Sequence, residues 1–293
     1  MRPSRSCQLL LAAAAFLHCG WIAGATPDSP DAATLIARVG ERVATYYERV
    51  QRLICTERST VIPIGDTGNV PPLARTVESE LRLEVDGAAA ARVTRAVQRI
   101  NGREPRERDK TDRSGCTDPT PLSPELLAFL LPERRDDYSF TTARVGREHD
   151  RATFVIDFVS ARRGSRPELI EDEYGHDDCF DWTGPVAVAG RLWVDAETHD
   201  VLRLDRHIIG PTDVRVSSRL QTRYRLPGWL TIDRDDVTLR FGPVSFSDPD
   251  ETMLLPESIE SLTVVRTGLQ STRRTQVFSN YRRFVVSSRL KQR

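Results

Sequence analysis

The chain has 293 residues, enough for one large domain or two small ones, and its 42 Lys and Arg residues balance its 42 Asp and Glu residues. A net charge of zero provides no global field that would attract nucleic acid or an anionic membrane. Charged residues at 29% and aromatic residues at 7% are ordinary for a folded protein with a well-hydrated surface. We therefore expect no nucleic-acid partner.

Residues 1–25 have the features of a secretory signal peptide. Two arginines precede the apolar run LLLAAAAFL, and small residues surround a cleavage position near Ala25. This run is too short for the roughly 20 residues that a membrane-spanning helix needs. We expect export to the periplasm or the medium, with membrane contact but no transmembrane segment after cleavage. Acylation of Cys19 is an alternative, although His18 stands where a small residue is expected.

The predicted mature chain, residues 26–293, begins with a helix over 31–55. Apolar residues recur there every three to four positions, and the preceding SPDAAT offers capping residues. Later segments alternate with period two, and we predict strands at SELRLEV, ATFVIDFVS, RLQTRYRL, DVTLRF, SLTVVRT and QVFSNYRRFVV. About nine or ten such strands would form an antiparallel sheet with one buried face and one solvent-exposed face.

Two oppositely charged segments are predicted to attract each other. Residues 92–113 contain eight Lys and Arg against four Asp and Glu, whereas residues 168–181 contain seven acids and no Lys or Arg. We interpret the first segment, with the charged loop 101–121, as solvated; binding of lipid phosphate groups is an alternative. The attraction predicts a Cys116–Cys179 disulfide in an oxidising compartment, with Cys55 buried or free.

A short second helix is predicted over 124–131, within SPELLAFLLP. Ser123 can cap it and Pro124 suits its first position. Its side chains are apolar nearly all round, including Leu126, Phe129 and Leu130. A helix of this composition is either deeply buried or covers an apolar cavity.

The stretch GRLWVDAETHDVLRLDRH, residues 190–207, concentrates acids and histidines. Its two ends alternate with period two, and the polar DAETHD between them has the composition of a turn. We predict a β-hairpin with a solvated tip, not a catalytic cluster.

The stretch GHDDCFDW, residues 175–182, is the strongest candidate for metal binding or catalysis. His176, Asp177, Asp178 and Cys179 carry nitrogen, oxygen and sulfur ligands, but adjacent residues rarely converge on one metal ion. HExxH, CxxC and GxSxG motifs are absent from the sequence. We therefore favour a disulfide-tethered acidic loop, with a metal site or catalysis as alternatives.

The order of these segments resembles the LolA/LolB/RseB-like lipoprotein-carrier superfamily, above all its secreted bacterial members. The features that carry the resemblance are the helix after the signal peptide, the GRLWVDAETHDVLRLDRH strand-turn-strand, the apolar SPELLAFLLP and the QVFSNYRRFVV strand. The resemblance implies an α+β fold, mostly antiparallel β, in which a curved half-barrel sheet wraps the N-terminal helix and a short lid helix. Members of this superfamily bind acyl chains or lipidated N-termini.

The resemblance leads us to expect an exported, non-enzymatic protein that binds an acyl chain, a lipid or a lipoprotein in an apolar cavity. Leu126, Phe129, Leu130 and Trp193 are the predicted lining residues, and no cofactor is expected. One alternative is an envelope scaffold whose cavity is filled by its own side chains. Another is a metal-dependent hydrolase at His176–Cys179.

Overall fold

The computed structural model describes residues 31–50, 53–65, 74–86, 90–106, 124–148, 150–161, 166–171, 180–184 and 186–283. The predicted signal peptide, most of the charged loop 101–121, the Cys116–Cys179 pair and the His176 cluster lie outside these residues and stay predictions. Within the described ranges, no helix combines the length and the apolar character needed to cross a membrane.

Helix α1, Ala32–Arg49, begins where Asp31 accepts a hydrogen bond from the backbone N–H of Thr34 at 3.2 Å. Its apolar stripe is buried, and this part of the predicted helix is confirmed. The predicted end at residue 55 is wrong, because strand β1 begins at Leu53. Residues from Leu53 alternate between buried and partly exposed positions, and β1 pairs with strands on both sides, which satisfies its backbone groups.

The described residues contain 13 strands, more than the nine or ten predicted. Their bounds are β1 Leu53–Ile64, β2 Arg75–Asp86, β3 Ala90–Ile100, β4 Tyr138–Glu148, β5 Arg151–Ser160, β6 Glu168–Glu171, β7 Phe180–Thr183, β8 Val188–Asp195, β9 Val201–Ile208, β10 Thr212–Arg215, β11 Trp229–Ser247, β12 Asp250–Val265 and β13 Ser271–Arg283. Among the strands that the sequence pattern did not predict, β6, β7 and β10 have four residues each, too few to show alternation.

The strands form one open sheet in the order β3-β2-β1-β13-β12-β11-β9-β8-β5-β4, with β10, β6 and β7 attached beside β11. Every pairing along the main path is antiparallel, and the single bridge between β10 and β6 is parallel. Consecutive strands are mostly neighbours, as expected for hairpin connections. Strands β1 and β13 are the first and last described strands, and they pair with each other. This pairing joins β1, β2 and β3 to the rest of the sheet.

The segment 219–226, predicted as a strand, belongs instead to helix α3, Ser218–Tyr224, and this prediction is wrong. Leu220 and Tyr224 are four residues apart, which fits a helical face as well as an alternating strand. Both pack into the same apolar cluster. Arg219 and Arg223, also four apart, both contact the carboxylate of Glu171.

The segment 92–100, predicted as part of a solvated loop, is most of strand β3, and this prediction is wrong as well. The arginines of β3 stand at positions 92, 95 and 99, and these spacings of three and four residues hide the period of two that marks a strand. Arg95 is largely buried, because its guanidinium bonds to Glu57 of β1.

The predicted lid helix is a 3₁₀ helix, Pro124–Leu130, followed by the one-turn helix α2, Pro132–Arg135. Pro132 stands at the first position of α2, where its missing N–H is tolerated. The 3₁₀ helix contacts α1 very closely. A Cβ on Gly40 would lie 2.7 Å from the backbone oxygen of Leu130, so only glycine permits this approach.

Helix α1 and the 3₁₀ helix cover one face of the sheet and form the main core with it. Leu35, Ile36 and Val39 of α1, with Leu127 and Leu130 of the 3₁₀ helix, pack on inward residues of β1, β2, β5, β8, β9, β11, β12 and β13. The predicted fold class, α+β with a mostly antiparallel half-barrel sheet and few helices, is confirmed.

Candidate functional site

The acidic stretch at residues 195–200 is the turn between β8 and β9, as the hairpin prediction requires. Asp195 accepts hydrogen bonds from the backbone N–H groups of Glu197 and Thr198 at 2.9 and 2.7 Å. Its other oxygen lies 2.7 Å from Nε of Arg151 on β5. The expectation of a solvated tip is wrong at this position, because the Asp195 side chain is only 4% exposed.

The same turn contacts helix α1 through a bidentate ion pair. Arg42 donates from Nε and Nη2 to the two carboxylate oxygens of Asp200, at 2.8 and 3.0 Å. Planar arginine–carboxylate pairs of this kind fix geometry as well as charge. The turn therefore orients one arginine of the helix and one of the sheet.

Strands β11 and β12 extend beyond the rest of the sheet as a hairpin, which we call the β-arm (residues 241–257). Pairing of β11 with β9 ends at Arg240, and pairing of β12 with β13 begins at Ser258. Between these points the two strands pair only with each other among the described residues. The edges of the β-arm are therefore not paired with other described strands, although its Phe246, Met253 and Leu255 pack with Val50 and Leu53.

The first cavity, of about 320 Å³, lies between the β-arm, helix α1 and the β8–β9 turn. Its apolar walls come from Phe241, Pro243, Met253 and Leu254 of the β-arm, with Leu127 of the 3₁₀ helix. The Tyr46 ring of α1 also lines it and makes an edge contact with Phe241, with 6.1 Å between ring centroids.

Three arginines also line the first cavity, and we call Arg42, Arg49 and Arg151 the arginine rim. Their carboxylate partners come from the turn and from the β-arm. Arg49 pairs with Glu251, which also contacts Arg283. The rim therefore places guanidinium groups beside an apolar wall.

The second cavity, of about 470 Å³, lies where β12 separates from β13. Its walls include Leu202, Leu255 and Phe278, and the hydroxyl of Tyr281 donates to the backbone oxygen of Pro256 at 2.7 Å across its edge. Phe241, Pro243, Leu254 and Arg151 line both cavities. The two spaces therefore adjoin along the β-arm.

The four predicted lining residues lie elsewhere. Leu130 is fully buried in the core, and Phe129 packs against the rings of Tyr138, Phe140 and Phe158. Leu126 is partly buried against the same core. None of these three residues, nor Trp193, lines either of the two cavities, whereas their neighbour Leu127 lines the first.

Trp193 is separated from the other three predicted lining residues. Its neighbours Leu192 and Val194 belong to the core, so Trp193 points to the opposite face of the sheet. There its ring lies between guanidinium groups, with Arg203 at 4.4 Å and Arg191 at 5.9 Å from the ring centroid.

A buried polar cluster lies on the inner face of β1. The Glu57 carboxylate, 1% exposed, accepts hydrogen bonds from Arg95 at 2.5 and 3.2 Å and from Gln276 at 2.7 Å. Cys55 is buried two residues away and forms no disulfide. Burial, assisted by the Glu57 charge, raises the pKa of the Cys55 thiol to about 12, which leaves it protonated at neutral pH. Since the thiolate is the nucleophile, Cys55 is a structural residue.

We predict that the Cys55 thiol makes the protein less stable in base. The folded state raises its pKa from 9.0 to about 12, so its stabilising effect is complete below pH 9 and is lost as the pH rises toward 12. Urea unfolding at pH 7 to 11 would show a steeper decline for the wild type than for Cys55→Ala. Parallel declines in the two proteins would contradict this prediction.

Among the described residues, no group of three or more His, Cys, Asp or Glu side chains is arranged to hold a metal ion. The candidates His176, Asp177, Asp178 and Cys179 lie outside these residues. The metal and hydrolase hypotheses for that segment therefore stay predictions.

The arginine rim and the β-arm were not predicted as a site. The rim arginines are far apart in the sequence and resemble ordinary surface charges. The signal that could have indicated the β-arm is strand length, because β11 and β12, with 19 and 16 residues, are the longest strands described. Long paired strands beside shorter ones leave a projecting hairpin.

Comparison with known proteins gives similarity of fold at low identity. No family model and no curated protein matches the chain. Similar solved structures include a DUF1329 family protein from Desulfovibrio piger (9% identity, TM-score 0.41, covering 88% of this chain and 95% of that one) and a LolA superfamily protein from Nitrosomonas europaea (9%, 0.32, 90% and 98%). Another is the MucA/MucB complex of Pseudomonas aeruginosa (11%, 0.19, 86% and 98%). A LolA superfamily protein and a MucB complex are thus among the solved structures to which this chain is similar.

Proposed function

We propose that this chain is a non-enzymatic binding protein that holds one alkyl or acyl chain along the β-arm, in the two adjoining cavities. The observation that carries the proposal is that three apolar residues, Phe241, Pro243 and Leu254, line both cavities. Volumes of about 320 and 470 Å³ fall in the usual range for small-molecule sites, roughly 300–1,000 Å³.

The chemistry of this wall suits a hydrocarbon chain. Each CH₂ group transferred from water to an apolar site contributes about 0.8 kcal/mol. A chain of twelve carbons would therefore gain roughly 10 kcal/mol before the entropic cost of association, which is at least about 4 kcal/mol. The remainder is at most about 6 kcal/mol, which corresponds to a Kd of roughly tens of micromolar or weaker.

The proposed site differs from the one expected beneath residues 124–131. There the side chains of the 3₁₀ helix pack into the core on the inner face of the sheet, and Leu130 contacts α1 directly. The proposed ligand site therefore lies further along α1, beside the β-arm. Leu127 is the part of the lid segment that still contributes to the ligand cavity.

The filled centre also favours the second candidate, an envelope scaffold whose sheet is packed by its own helices. In that case the two cavities hold only water and the chain works through its outer surface. Binding of an alkyl chain separates the two functions, because a scaffold has no affinity for one.

We predict that Leu254→Trp weakens binding of a dodecyl chain at least about tenfold. The indole would occupy the wall common to both cavities and displace about two CH₂ groups of ligand. Displacement of a fluorescent fatty-acid probe by dodecanoate measures the Kd. The matched control is Val145→Trp, at an exposed position on β4, which is expected to bind as the wild type does.

Two results would contradict the proposal. One is equal affinity of Leu254→Trp and the wild type, with both proteins folded by circular dichroism. The other is a wild type, extracted free of lipid, that binds no dodecyl compound, which would favour the scaffold.

A further inference from the structure

We infer that the bound chain carries an anionic head, held by the arginine rim in the first cavity, with its tail directed into the second. This inference rests on the proposed function. It deepens that function by assigning both the class of ligand and its orientation.

The two cavities differ in the charge of their walls. Among the residues that the structure describes, the first is lined by Arg42, Arg49 and Arg151 and by one acid, Asp200. The described lining of the second contains Arg151 and one acid, Glu257. Because an anionic group gains most where guanidinium groups outnumber carboxylates, the first cavity suits the head and the second suits the tail.

The carboxylates that partner the rim do not cover it. The side chains of Arg42, Arg49 and Arg151 are 36–40% exposed, whereas those of Asp195, Asp200 and Glu251 are 4–24% exposed. The acids therefore lie further from solvent than the arginines that they hold. Counting Arg283, which shares Glu251, four guanidinium groups face three carboxylates in the described part of the chain, an excess of one positive charge.

Each rim arginine keeps donors for a ligand. Arg42 uses Nε and Nη2 on Asp200, Arg49 uses Nη2 on Glu251, and Arg151 uses Nε on Asp195. A guanidinium has five N–H donors, so these bonds leave at least two donors on every rim side chain. The ion pairs hold the arginines in place before the ligand binds, which lowers the entropy lost on binding.

The acid-rich turn thereby acquires a role. Asp195 and Asp200 stand at its two ends, and each holds a different rim arginine, one on the sheet and one on α1. The concentration of acids in DAETHD is therefore explained by the arginines that it orients.

The test compares four probes with the same twelve-carbon chain: dodecyl phosphate, dodecanoate, dodecanol and dodecyltrimethylammonium. We expect at least one anionic probe to bind about tenfold more tightly than dodecanol, and the cation more weakly than dodecanol. The anionic advantage should decrease as salt is added. A larger gain for dodecyl phosphate assigns a phosphate head, and a larger gain for dodecanoate assigns a carboxylate head.

Variants locate the head. Arg42→Gln and Arg49→Gln are each expected to lose about tenfold in affinity for the favoured anionic probe, with dodecanol binding unchanged. The matched control is Arg58→Gln, a 64% exposed arginine on β1 that is in neither cavity and should change nothing. If one rim variant fails to fold, the other provides the same measurement.

Two failures are distinguishable. If dodecanol binds as tightly as both anionic probes, the head inference is overturned while the alkyl site stands. If none of the four probes binds the wild type, the proposed function is overturned together with this inference.

Discussion

Replacing Gly190 with alanine is expected to lower the free energy of unfolding by about 3 kcal/mol, which is a large effect for one methyl group. Gly190 lies on β8, where a Cβ would stand 2.1 Å from the backbone oxygen of Asp205 and 2.5 Å from Cζ of Phe158. The backbone oxygen and the buried ring cannot move far enough to relieve these contacts. Urea unfolding of Gly190→Ala followed by circular dichroism measures the loss.

A second strand glycine provides the matched control. A Cβ on Gly242 of β11 would be 3.4 Å from its nearest contact, the carboxylate of Glu257, which is an ordinary distance. Gly242→Ala should therefore change stability by less than about 1 kcal/mol. Equal losses in the two variants would show that β8 does not pack on β9 and Phe158 as described.

Replacing Glu57 with alanine is expected to cost about 3–5 kcal/mol. The substitution removes the acceptor of the hydrogen bonds from Arg95 and Gln276, and it leaves the Arg95 charge without that counter-charge in a buried place. These bonds join β1, β3 and β13. The variant should therefore unfold at a much lower urea concentration than the wild type.

An exposed ion pair of the same strand separates burial from charge. Arg58 pairs with Glu78 at 3.0 Å, and its side chain is largely exposed. Arg58→Ala should cost less than about 1 kcal/mol, because exposed pairs contribute little. A small effect of Glu57→Ala, similar to that of Arg58→Ala, would mean that the inner face of β1 is accessible to solvent.

The sequence pattern predicts the sheet well where alternation is long and uninterrupted. The hairpin of residues 190–207 is correct because Leu192, Val194 and Leu204 mark its dry face. The pattern fails at 219–226, where the spacing of Leu220 and Tyr224 fits both periods. Only tertiary packing against β6, β7 and β10 decides for the helix.

The two cavities beside the β-arm could not be predicted from the sequence, for a related reason. Cavities are what packing leaves unfilled, and sequence periodicity does not report them. The apolar composition of the 3₁₀ helix correctly predicted that it is buried or covers a cavity. That it lies directly on α1 depends on Gly40, whose close contact with Leu130 is visible only in three dimensions.

The central claim concerns where an alkyl chain lies, and a crystal structure with 12-bromododecanoate tests it most directly. The proposal predicts an anomalous bromine peak in the second cavity, near Leu255 and Phe278, with the carboxylate beside Arg42 and Arg49. Bromine beneath Phe129, on the outer face near Trp193, or at no ordered position would contradict it.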